Sequence, residues 1–180
     1  LHKPLLALHQ HNEAEAALVV AARLQAGERL AYVSDAGTPA ISDPGARLVQ
    51  AVREAGCRVM PLPGPSSVTT LLSAAGLDAG LHGTEAGGFT FVGFLPAKTL
   101  ERERAVQALA AECRAVVLLE APHRMIELAR ALAVLGQRAV SVGRELTKQF
   151  EEIDTVPCAS LGAWLTAQPQ RLKGEFALVL

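Results

Sequence analysis

Residues 30–34 (LAYVS) form an unbroken apolar run, and the residues on its carboxyl side narrow the possible folds. The run ends in small, turn-forming residues, and a helix start comes shortly after at Asp43-Pro44. Asp43 is expected to cap that helix, with Pro44 at its first position. An apolar strand of this kind is buried on both faces of a parallel sheet. The same alternation recurs on either side. Residues 4–9 read as a short strand, and 13–25 as a helix opened by Asn12 or Glu13, with Asn12 the better N-cap, and stopped by Gly27. The helix from Asp43 runs to Ala55, residues 58–62 read as a further strand, and Ser66 caps a helix through Ala75. Strand and helix in alternation predict a parallel α/β sheet with right-handed crossovers.

The second half repeats the alternation. Strands are expected at 89–95, 114–119, 139–142, 152–156 and 175–180, and helices at 99–113, 122–135 and 160–167. Residues 77–88 are Gly-rich and aperiodic, which marks a boundary. The reading is therefore two α/β domains, 1–80 and 88–180. The chain opens at Leu1, and its first domain is expected to be incomplete at its start.

Composition limits the function classes. Half of the residues are hydrophobic, enough for a core, so a disordered tail is excluded. No apolar run approaches the roughly 20 residues of a membrane span. Lys+Arg number 17 against Asp+Glu 18, a net charge of −1, which excludes a strongly basic, salt-driven nucleic-acid binder. A local basic patch remains open: residues 98–148 carry nine basic side chains against six acidic ones. Cys57, Cys113 and Cys158 are scattered and odd in number, which points away from a disulfide framework or zinc site and towards a reducing, cytoplasmic compartment. His9 and His11 supply two ligands without a third, so no metal is expected.

Four segments can carry chemistry, each at a strand end. Ligands of open α/β sheets bind at the carboxyl ends of strands. In the first segment, Asp35 to Pro39, Gly37 lets a ligand approach the backbone and Asp35 can accept hydrogen bonds from a hydroxyl or ammonium group. The alternative is a structural loop in which Asp35 satisfies backbone N–H groups. The second is Pro63-Gly64-Pro65-Ser66-Ser67, where amides and two hydroxyls converge, or where a rigid turn simply caps a helix. It is neither a P-loop nor a dinucleotide fingerprint. The third, Glu120-Ala121-Pro122-His123-Arg124, offers a base in His123 and a phosphate contact in Arg124, or an ordinary Glu120–Arg124 ion pair. The fourth runs from Gly143 through Arg144, Glu145 and Lys148 and mixes both charges, as a solvated pair would.

The order VSDAGTPAISDPG, PLPGPSSVTTLLSAAGL, FTFVGFLP, LLEAPHR, GRELTKQFEE, GEFALVL closely resembles the bacterial 16S rRNA (cytidine 2′-O)-methyltransferases of the tetrapyrrole methylase superfamily. The resemblance covers nearly the whole chain. It implies two α/β domains with an S-adenosylmethionine pocket in the cleft between them, and a homodimer. It implies cofactor contacts at Asp35, Ala36, Gly37, Thr38, Pro39, Pro63, Gly64, Ser66 and Ser67. Phe94-Leu95-Pro96 would open the second domain, while residues 119–124 and 174–176 approach the cleft. The family's usual serine in an E-S-P-H-R stretch is Ala121 here, which removes one hydroxyl. Family members also begin with a strand and a glycine-rich loop that this chain is expected to lack.

The implied reaction is methyl transfer to the ribose 2′-hydroxyl of a cytidine in 16S rRNA, within the small ribosomal subunit. His123, Glu120 and Glu145 are the candidate bases. Arg124, Arg144 and Lys148 are the candidate RNA contacts. Two other readings stand beside it: C-methylation of a corrin or porphyrin, and a non-catalytic fragment that only binds the cofactor.

Overall fold

The structure, a computed structural model, describes residues 3–76 and 88–180. The chain divides into two compact units, Leu1–Pro65 and Ser66–Leu180. The expected boundary loop at 77–88 lies, except for Gly88, outside the described residues.

In the first unit, α1 (Glu13–Gln25) and α2 (Ala46–Glu54) pack through Ala17, Leu48 and Val52, with Leu24 and Tyr32 alongside. Alanines on α1 give it a narrow face that lets the two helices approach. The helix bounds follow the sequence signals closely, and Asn12 is the N-cap residue of α1, although its side chain bonds elsewhere. Asn12 holds the turn before α1, its Oδ1 accepting from His9 N at 2.8 Å and its Nδ2 donating to Ala7 O at 3.0 Å. Asp43 does not cap α2, whose N-cap is Gly45. The three expected strands at 4–9, 30–34 and 58–62 carry no ladder among the described residues. Nor are they buried: Leu5, Val33 and Leu62 are 95%, 78% and 77% exposed. Apolar sequence favours a strand, but a strand exists only where a neighbour satisfies its N–H and C=O groups.

The second unit holds a five-stranded mixed sheet. Its elements are α3 (Ser67–Ala74), β1 (Phe89–Gly93), α4 (Thr99–Ala110), β2 (Ala115–Glu120), α5 (Met125–Leu132), β3 (Ala139–Arg144), β4 (Glu152–Pro157), α6 (Leu161–Thr166) and β5 (Phe176–Val179). The strand order is β1-β2-β5-β3-β4. Only β1 and β2 run parallel; the other three pairings are antiparallel. Single 3-10 turns, Pro122–Arg124 and Ala133–Leu135, tighten the two ends of α5.

Successive residues of a strand point to opposite faces, and both faces here are covered. Val116 and Leu118 of β2, Val140 and Val142 of β3, and Leu178 of β5 pack on one side against Val106, Leu128, Leu132, Leu161 and Leu165. Val117, Ala177 and Val179 face the other way, against Val68 and Leu71 of α3. That double burial is why β2 and β5 read as continuous apolar runs. Each fully buried Leu or Val contributes roughly 1.5–3 kcal/mol over leaving it in water.

Candidate functional site

In the first unit, two of the segments singled out by sequence meet. The Thr38 hydroxyl donates to Pro65 O at 3.0 Å, tying the 35–39 loop to the Pro63-Gly64-Pro65 turn. The Ser34 hydroxyl donates to Ala36 O at 3.1 Å and folds the loop back on itself. Gly37 has φ +70, and a Cβ there would sit 3.7 Å from Pro65 O, so the backbone is bare where the segments touch. Asp35, Ala36, Gly37, Thr38, Pro63 and Gly64 are exposed, and Pro39 is half-buried. The Asp35 carboxylate accepts no hydrogen bond among the described residues, so it is not used to satisfy nearby amides. Ser66 is the N-cap residue of α3 and Ser67 its first residue, yet the Ser66 side chain makes no cap hydrogen bond. Its hydroxyl is thus not consumed by the helix, contrary to simple capping.

In the second unit, topology gathers the remaining candidates at one edge of the sheet. Strands β1, β2 and β3 end there, and β4 and β5 begin there. The register places Glu120 beside Phe176, Phe176 beside Arg144, and Arg144 beside Glu152 in a single row. Residues far apart in sequence therefore share one edge because each terminates a strand at the same level.

The charged candidates at that edge hold one another. Glu120 is fully buried, and its Oε1 lies 3.1 Å from Arg124 Nε. Burial pushes the Glu120 carboxyl above the usual range, against the pull of the Ala121 amide and of Arg124, Arg102 and His123. Its other oxygen is buried and unpartnered. Arg124 also donates to Leu95 O, and Arg102 donates to Ala97 O at 3.1 Å and pairs with Glu127 at 3.0 Å. Two guanidiniums thus fasten the chain segment that leaves β1. Arg144 is buried, 3.6 Å from Glu152, which Arg171 holds at 2.6 Å.

Glu145 sits at φ +51 and packs its side chain against Gly174. Its Oε1 accepts from Glu175 N at 2.9 Å and pairs with Lys148 Nζ at 3.0 Å. The Glu175 amide and Lys148 hold its carboxyl below the usual range. Lys148 also reaches Glu175 at 2.9 Å, and its ammonium is raised by Glu175 and Glu145. A carboxylate so stabilised in its charged form is a weak proton acceptor. His123, by contrast, is exposed and has no hydrogen-bond partner among the described residues.

The arginines of residues 98–148 do not collect as free charge. Beside the contacts of Arg102, Arg124 and Arg144, Arg114 pairs with Glu112 at 2.8 Å, and Arg138 donates to Leu109 O at 2.7 Å. Arg104 and Arg130 are exposed. No helix among the described residues is long and apolar enough to cross a membrane.

Sequence reasoning missed Glu13. It is the first residue of α1, yet it is buried, and its Oε1 accepts from Gly45 N at 2.9 Å, Arg47 N at 2.8 Å and Leu48 N at 3.3 Å. An acidic residue in a first helical turn reads as a complement to its own helix dipole. Nothing local in the sequence shows that it serves a different helix.

The family model described as Tetrapyrrole (Corrin/Porphyrin) Methylases matches residues 2–162. A curated relative, ribosomal RNA small subunit methyltransferase I of Escherichia coli O157:H7, is 47% identical over 98% of this chain and 60% of its own length. The chain thus spans about 60% of the length of that relative. Among solved structures, the methyltransferase CobJ superposes with a TM-score of 0.64 at 20% identity, covering 98% of this chain and 73% of that one. Uroporphyrin-III C-methyl transferase from Thermus thermophilus, solved in complex with S-adenyl homocysteine, gives 0.58 at 16% identity, covering 93% and 73%. At such identities the likeness to solved structures is one of fold.

Proposed function

Because the chain belongs to the Tetrapyrrole (Corrin/Porphyrin) Methylases, we propose that it transfers a methyl group from S-adenosylmethionine to the ribose 2′-hydroxyl of a cytidine in 16S rRNA. It does so on the small ribosomal subunit, in the cytoplasm and as a homodimer. The observation that carries the reading is the 47% identity, over 98% of this chain and 60% of the relative, to a protein named as a small-subunit rRNA methyltransferase. That identity favours an RNA acceptor over a tetrapyrrole one, which the solved neighbours share only in fold.

The residues present fit such a cofactor. The 35–39 loop and the Pro63-Gly64 turn are tied together through Thr38 and Pro65, with bare glycine backbone at the junction and an exposed Asp35 carboxylate that accepts no hydrogen bond among the described residues. Asp35 to Pro39, Pro63 and Gly64, together with the Ser66 and Ser67 hydroxyls, would hold it. When bound, the cofactor supplies an electrophilic methyl on a cationic sulfur. The chain must then hold the ribose oxygen in line with that methyl, so positioning supplies much of the rate. The hydroxyl proton leaves during or after attack, and His123 is the base, since Glu120 and Glu145 are committed to ion pairs. Of the candidate RNA contacts, Arg144 is buried against Glu152, Lys148 is held between Glu145 and Glu175, and Arg124 holds the segment leaving β1 in place, so at the sheet edge these charges serve to order the chain.

The test is methyl transfer from labelled S-adenosylmethionine to small subunits lacking the modification, with nuclease digestion to locate the label. Label on a cytidine ribose is expected. Label on an offered porphyrinogen, and none on subunits, overturns the reading.

A further inference from the structure

We infer that Glu13 is a positioning residue for the 35–45 loop and thereby sets affinity for the cofactor. The inference rests on the proposal that this loop holds S-adenosylmethionine.

The first amides of a helix lack intrahelical acceptors and need a cap. The N-cap of α2 is Gly45, which has no side chain to offer and sits at φ +132. Glu13 fills the gap from another helix: one carboxylate oxygen accepts from Gly45, Arg47 and Leu48. A negative charge at a helix N-terminus also meets the positive end of its dipole. Tyr32 adds a second hold. Its hydroxyl donates to Pro44 O, and its ring lies so close that a Cβ on Gly45 would come within 2.6 Å of Cε1.

The loop is therefore fastened at its exit by Glu13 and Tyr32, and near its start by Thr38 on Pro65. Between these points Ala40 takes φ +63, a conformation that L residues with a side chain rarely adopt. Such a conformation persists only where the surroundings impose it. Releasing the exit lets Ala40 relax, and the loop leaves the shape that would meet the cofactor.

The experiment uses the intact protein with Glu13→Ala, Glu13→Gln and Tyr32→Phe. Amide hydrogen exchange at Gly45, Arg47 and Leu48 is read beside calorimetric Kd for S-adenosylmethionine, well below the melting temperature. In Glu13→Ala, faster exchange and a Kd raised about ten-fold, the scale of losing one helix cap, are expected. The KM for the ribosomal acceptor and kcat at saturating cofactor stay unchanged. Glu13→Gln keeps an acceptor oxygen and recovers most of the affinity. A merely structural Glu13 would lower the melting temperature with Kd unmoved, and that result overturns the inference. If Glu13→Ala does not fold, Tyr32→Phe, which loses the hydroxyl bond to Pro44 O, carries the comparison: a raised Kd is expected, and a lowered melting temperature with Kd unmoved overturns the inference. If the unmodified protein binds no S-adenosylmethionine, the functional proposal fails, and exchange at the three amides alone decides whether Glu13 holds the loop.

Discussion

Gly174→Ala is expected to destabilise the second unit by about 2–4 kcal/mol, and the cost has two separable parts. Gly174 has φ +90, and placing a side chain in left-handed backbone costs roughly 1–2 kcal/mol. The new Cβ would also lie 2.5 Å from Glu145 Cγ and 2.7 Å from its Cδ. Glu145 cannot swing away freely, because its Oε1 holds Glu175 N and Lys148 Nζ. Giving up one charge-assisted bond at a partly exposed site costs about 1–2 kcal/mol. The total corresponds to a fall in Tm on the order of 10 °C, read by circular dichroism or calorimetry. In a Glu145→Ala background the steric part disappears, so Gly174→Ala should then cost only the backbone share, about 1–2 kcal/mol. An equal loss in both backgrounds refutes the claim that Glu145 fills the space over Gly174.

Gly162→Ala should do the reverse: Gly162 lies inside α6, nothing stands within 4 Å of its would-be Cβ, and the gain is up to about 1 kcal/mol; a fall in Tm counts against it. Leu128→Ala removes a side chain 1% exposed in the core and should cost about 3–5 kcal/mol by denaturant titration. Among the thiols, Cys113 is exposed, while burial pushes Cys158 up to about 11; native protein at pH 8 should therefore be alkylated at Cys113 and spared at Cys158, as mass spectrometry would show. Glu13 is pushed up by burial, but the amides of Gly45, Arg47 and Leu48 outweigh this and hold it below the ordinary 4.5. Its contribution is present above that value and lost as pH falls through the lowered one, so Glu13→Gln should flatten the acid limb of Tm against pH below about 4.5. An unchanged acid limb would show that Glu13 is not charged in the folded state.

How far the sequence can be read depends on whether a segment's structure is decided nearby. In the second unit, β5 is apolar on every residue and β2 on all but its last, Glu120, because helices cover both faces of the sheet, and a run of that kind carries its own signature. Helix ends there follow Pro122 and Gly136, which act through their own backbone. Strand direction is another matter. Nothing in GEFALVL tells it to run antiparallel between β2 and β3, since that choice is made by the partners it meets. In the first unit the same limit cuts deeper. LAYVS has the composition of a buried strand, but with no ladder neighbour among the described residues Val33 stands 78% exposed.

The candidate site divides along the same line. Gly37 and the Pro63-Gly64-Pro65 turn stand out because glycine and proline announce unusual backbone wherever they occur. The charged residues announce only that they are charged. Glu120 and Arg124 look equally suited to catalysis or to pairing until the structure shows one fully buried and the other fastened to Leu95 O. Glu13 is the extreme case: its spacing marks it as part of α1, and its chemistry belongs to α2, reached across a separation of 32 residues. A carboxylate that caps a remote helix has no local pattern, because its partners are backbone amides that every residue but proline carries. Residues of this kind decide whether a legible loop keeps its shape, and hydrogen exchange at Gly45, Arg47 and Leu48 is where that dependence becomes measurable.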